Sequence, residues 1–114
     1  MEKTLTISGK EVPFKSTGAF FLRYKAQFGK DPLGVLQKLG STLEQAQKMG
    51  NFEQVEIEPL YNIVWTLAKT ANPSIETPME WLDKFDEFPL LEVLPELEEM
   101  ILSTIQATKK IKNV

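Results

Sequence analysis

Polar and apolar residues alternate at the start of the chain, Thr4-Leu5-Thr6-Ile7, and after Ser8-Gly9-Lys10 a second short run returns as Glu11-Val12-Pro13-Phe14. A period of two on either side of a glycine-bearing turn predicts a β-hairpin. Pro13 has no N–H to give a ladder, so it must lie at an edge or face away from its partner. Two strands alone are marginal, and the hairpin is expected to rest on helices.

Beyond Lys15 the spacing becomes helical. Ser16 or Thr17 is placed to cap a helix carrying Phe20, Phe21, Tyr24 and Phe28, with Gly29 as its stop. Asp31-Pro32 starts the next, with Leu33, Leu36, Leu39 and Leu43 on one face and Gly50 as its limit. An interior glycine costs about 1 kcal/mol relative to alanine, so this helix is expected to bend or break near Gly40. Residues 51–57 are polar and acidic, and Glu58-Pro59 then opens a helix to about Ala71. Its stripe of Leu60, Ile63, Val64 and Leu67, flanked by Tyr61, Trp65 and Ala68, is broad enough to make it the central helix.

Asn72-Pro73-Ser74 breaks the chain, and Thr77-Pro78-Met79-Glu80 predicts a capping box, the Thr77 oxygen accepting from the Glu80 N–H. Trp81, Leu82 and Phe85 follow on one face. Leu90, Leu91, Leu94, Leu97, Ile101 and Ile105 then trace a long amphipathic helix towards Lys109 and Lys110, whose charges suit its dipole. Pro95 deep in that helix would cost about 3 kcal/mol, so Leu90–Leu94 is expected to be a separate turn or the helix to begin near Leu94. The pattern predicts a mainly α fold in a single domain, 1–114. A short N-terminal β-hairpin (1–15) precedes four or five helices (16–110) around one core.

Composition narrows the function classes. A hydrophobic fraction of 42% and a charged fraction of 25% are ordinary globular values. With no cysteine and no histidine, disulfides, thiolate metal sites and histidine-based nucleophile activation are excluded. The chain is therefore expected not to be an enzyme and to carry no catalytic residue, cofactor or metal ligand. A net charge of −3 and a single arginine, Arg23, leave no basic patch, so nucleic acid is not an expected partner. No apolar run is long enough for a signal peptide or a membrane span, which points to the cytoplasm.

The densest charge lies between Glu76 and Glu99, where Lys84 is the one basic residue. Glu92, Glu96 and Glu99 would share a face for a hard cation if the helix ran through Pro95, but solvated carboxylates are the more economical reading. Trp65 and Trp81 read as core or interface anchors. In the last helix, Met100, Leu102 and Ile111 widen the apolar face. Either the rest of the domain covers it, or part of it receives a partner helix or another copy. The candidate partner groove lies between Tyr61 and Trp65 on the central helix and Leu97, Ile101 and Ile105 on the last.

Several of these segments together resemble the tail assembly chaperones of long-tailed, siphovirus-like bacteriophages and prophages. They are the hairpin Ile7-Ser8-Gly9-Lys10-Glu11-Val12-Pro13-Phe14, the aromatic helix ending Phe28-Gly29-Lys30-Asp31, the break Asn72-Pro73-Ser74-Ile75, and Pro78-Met79-Glu80-Trp81-Leu82-Asp83 with Phe85-Asp86-Glu87-Phe88. The resemblance covers nearly the whole chain. It implies a protein of the host bacterial cytoplasm that binds the tape measure protein during tail morphogenesis, keeps it soluble and recruits major tail protein. Family genes often also make a longer form by frameshifting, to which this chain would be the shorter counterpart. The alternatives are a homo-oligomeric structural protein of the virion, such as a tail completion or connector component, and a host helical adaptor or regulatory protein.

Overall fold

In the computed structural model, Glu2–Ile7 (β1) and Lys10–Lys15 (β2) pair antiparallel, with Ile7 opposite Lys10, Leu5 opposite Val12 and Thr4 opposite Pro13. The structure describes residues 1–53 and 55–109. Ser8 and Gly9 close the hairpin with φ of 50° and 77°, the mirror-image two-residue turn whose twist suits paired strands. Ile7, Val12 and Phe14 point inward and are buried. Leu5 packs against them.

Six helices follow among the described residues: Phe20–Phe28 (α1), Leu33–Gln37 (α2), Leu39–Met49 (α3), Glu58–Ala71 (α4), Pro78–Leu82 (α5) and Leu90–Lys109 (α6). The mainly α fold with an N-terminal hairpin is as the pattern predicts. The sixth helix arises because the Asp31 to Gly50 segment divides at Lys38, two residues before Gly40, where the backbone stands at φ −96°, ψ 0°. There the Ser41 hydroxyl donates to the Lys38 carbonyl at 3.1 Å, a local bond that competes with the regular ladder.

Helix α4 is the central element. Leu60 and the unbroken run Ile63 to Ala68 are buried, including Thr66, whose hydroxyl donates to the Asn62 carbonyl at 2.7 Å. β2 and α1 pack on α4, and α2 and α3 pack on α6. Leu36, Leu39, Leu43, Leu94, Leu97 and Ile101 join the residues of α4 in one core cluster. No described helix is long and apolar enough to cross a membrane.

Three local expectations fail, each for a physical reason. Ser16 is not a cap: it is buried and exchanges backbone bonds with Met1, while Thr17 accepts the Ala19 N–H at 3.2 Å in a turn ahead of α1. Thr77 does precede α5, but its hydroxyl donates to the Glu80 carboxylate at 2.9 Å, so the box closes through side chains alone. Pro95 lies inside a continuous α6. Its missing N–H and ring cost about 3 kcal/mol. Leu90, Val93, Leu94 and Leu97 are buried on both sides of it, and at roughly 1.5–3 kcal/mol per buried apolar side chain they outweigh that cost. Expectations resting on Lys110, Ile111 and Lys112 lie outside the described residues.

Candidate functional site

Leu97 and Ile101 are fully buried core side chains, and Trp65, 4% exposed, is mostly core but lines open hollows beside Gln27 and Lys69 that neither Leu97 nor Ile101 shares. The surface of α6 that bears Leu97 and Ile101 is taken by α3, α2 and α4 of the same chain. Met100 is buried as well. Trp65 meets the edge of Phe28 at 5.7 Å between ring centroids and donates its indole N–H to the Glu76 carbonyl at 2.9 Å. Tyr61, half-buried, rests on Phe88 at 6.1 Å between centroids. Phe88, Trp81 and Phe85 form a mutual edge-to-face cluster that carries α5 onto the body of the protein. Ile105 packs against the same core from the far half of α6.

A larger open groove lies elsewhere on the chain. A cavity of about 480 Å³ runs between α2–α3 and the chain leading into α4. Leu60, Val35, Val55 and Pro59 make its buried and half-buried floor, and Asp31, Lys38, Gln45 and Glu56 stand on its exposed rim. Leu33 and Ile57, each 38% exposed, belong to the two segments that form its walls.

Local chemistry builds both walls. The Asp31 carboxylate accepts the Leu33 N–H at 2.8 Å and so starts α2. On the other side the Val55 N–H bonds the Phe52 carbonyl at 3.0 Å, and Pro59 sits in the first turn of α4, where a missing donor loses nothing. Of the residues that line this groove, Val55 and Glu56 lie in the acidic stretch 51–57, where no regular element was expected. Phe52, Val55 and Ile57 recur there without strand or helix spacing, and that recurrence was the available signal. An apolar floor with acidic and basic groups on its rim can bury apolar side chains of a helix while the rim pairs with the helix's flanking charges.

The titratable groups displaced from ordinary behaviour lie beside other features. Burial raises the Tyr24 phenol at the α1–α4 seam, the Asn62 hydrogen bond opposes the rise, and the negative charges of Glu58 and Glu56 add to it. Glu76 is held below the usual carboxylate range by the Lys84 ammonium that bonds its Oε1, with its own backbone N–H helping. Its Oε2 is shut from solvent without a hydrogen-bond partner among the described residues.

The acidic face of α6 is continuous through Pro95, yet Glu96 is bound by Lys3, whose ammonium lies 2.8 Å from its carboxylate and 3.0 Å from its backbone carbonyl. Among the described residues no group of three or more acids is placed to hold a metal ion. No family model, curated protein or solved structure matches the chain.

Proposed function

We propose that this protein is a tail assembly chaperone of the phage type. In this reading it holds apolar helical segments of a tape measure protein in the groove between α2–α3 and the start of α4, and it helps bring major tail protein to the complex. The observation that carries the reading is that groove: an apolar floor of Val35, Val55, Pro59 and Leu60, charges on its rim, and exposed Leu33 and Ile57 in the segments that flank it. A helix of about 10 Å diameter laid along it could bury one or two apolar side chains per turn and leave its polar face in water.

The segments that resemble the chaperone family fall at junctions of the fold, which supports the same reading. Gly29 ends α1 at φ 72°, and Asn72 turns the chain by accepting the Ser74 N–H at 3.1 Å. Trp81 anchors α5 in the aromatic cluster. Such a holder works in the host bacterial cytoplasm and needs no chemistry, only an apolar surface that the client leaves again. Co-expression with a tape measure protein and affinity capture of this chain is the direct test. A soluble complex of the two supports the proposal, and recovery of the chain alone beside insoluble tape measure protein overturns it.

A further inference from the structure

The hairpin has two outer edges, and they are not alike. Met1 and Ser16 exchange both backbone hydrogen bonds, Ser16 N–H to Met1 C=O at 2.9 Å and the Met1 ammonium to Ser16 C=O at 3.2 Å. In an antiparallel pair, bonded and non-bonded pairs alternate along the strands. Lys3–Phe14, Leu5–Val12 and Ile7–Lys10 are therefore the bonded pairs, and Glu2–Lys15, Thr4–Pro13 and Thr6–Glu11 are the others. It follows that Glu2, Thr4 and Thr6 aim their N–H and C=O groups away from β2, while Glu11, Pro13 and Lys15 aim theirs away from β1.

Pro13 thus stands at the middle of the outer edge of β2 and removes its central donor, a usual way of blunting an edge. The outer edge of β1 carries no proline, and Thr4 and Thr6 are exposed. Helix α6 approaches β1 from the inner face, where Lys3 reaches Glu96.

We propose that β1 pairs antiparallel with β1 of a second copy of this chain across a two-fold axis through Thr4, making a four-stranded sheet from two hairpins. The self-complementarity of the strand selects this occupant. With Thr4 opposite Thr4, Glu2 falls opposite Thr6 and Thr6 opposite Glu2, so every outward backbone group of β1 meets one of the other copy. Lys3 falls opposite Leu5, and no like charges face one another directly. On the exposed face, Thr4 meets Thr4 at the axis, a favourable cross-strand pair. The contact is one strand wide and belongs with the small, concentration-dependent interfaces. It lies on the hairpin, away from the groove of α2–α4, so it stands independently of whether a client is bound there.

Sedimentation velocity on the full chain without any client tests this, in a series up to several hundred micromolar. The wild type is expected to shift from monomer to dimer along the series. Thr4→Pro removes the donor at the axis without touching the bonds between β1 and β2, and Thr4→Lys sets two like charges face to face. Each is expected to weaken the dimer at least tenfold, with far-UV circular dichroism unchanged. If Thr4→Pro disturbs the hairpin, Thr4→Lys decides. A wild type that stays monomeric throughout, or a dimer that survives Thr4→Lys, overturns the proposal.

Discussion

The indole N–H of Trp65 donates to the backbone carbonyl of Glu76 at 2.9 Å, which latches the middle of α4 to the segment leading into α5. Trp65→Phe keeps most of the ring's contact with Phe28 and removes the donor, leaving a part-buried carbonyl without it. Unfolding in urea should show a loss of about 1–2 kcal/mol, the usual cost of stranding one hydrogen-bond partner. A loss below about 0.5 kcal/mol would mean that water takes the place of the indole.

Pro95 gives a prediction of opposite sign. Because α6 is continuous from Leu90 to Lys109, Pro95→Ala restores an N–H for the Leu91 carbonyl and removes the ring clash. Stability should rise by about 1–3 kcal/mol. If Leu90–Leu94 were a separate turn, the same substitution would change the urea midpoint little.

Two glycines should respond in opposite directions. Gly29 closes α1 at φ 72°, and nothing lies within 4 Å of where its Cβ would be, so Gly29→Ala carries a purely conformational cost of about 1–2 kcal/mol. Gly40 lies within α3 at ordinary φ, and an added Cβ would meet the Glu98 carboxylate at an unstrained 3.7 Å. Gly40→Ala should stabilise by roughly 0.5–1 kcal/mol. Thermal melts of the two variants check both signs.

The ion pair of Glu76 and Lys84 predicts a pH signature. Lys84 holds the folded-state pKa of Glu76 below its ordinary value, so the native state favours the carboxylate. The resulting stability is complete above the unfolded value of about 4.3 and is lost as pH falls through the lower folded value. The stability difference between wild type and Lys84→Met should therefore be constant from pH 7 to about pH 5, then shrink on further acidification. Added salt should shrink it too, since half of the Lys84 side chain is exposed. A difference that grows on acidification contradicts this assignment.

What could be read from the chain, and what could not, divides by the range of the interactions. The hairpin turn at Ser8-Gly9, the stop at Gly29 and the start at Glu58-Pro59 are set by residues within a few positions of one another, and the structure has them there. Pro95 misleads because its cost is local while the burial of Leu90, Val93, Leu94 and Leu97 that outweighs it comes from distant elements. The groove misleads for the same reason. Leu97 and Ile101 announce a surface to be covered, but spacing along a helix does not say that α3 of the same chain covers it. Val35 and Val55, which line the groove, sit in short or irregular segments, where no period marks a shared surface.

The most direct measurement for the chaperone reading is the soluble fraction of a co-expressed tape measure protein with wild type and with the Leu33→Glu, Ile57→Lys double variant. Both residues are partly exposed in the two segments that flank the groove, next in sequence to or within two positions of its lining residues Gly34, Val35, Val55 and Glu56, and the paired substitutions leave net charge unchanged. The melting temperature of the variant alone should stay near that of the wild type. Wild type is expected to keep the tape measure protein in solution, and the variant to lose most of that effect while remaining folded. Equal solubility with both proteins, or with neither, contradicts a client held in this groove.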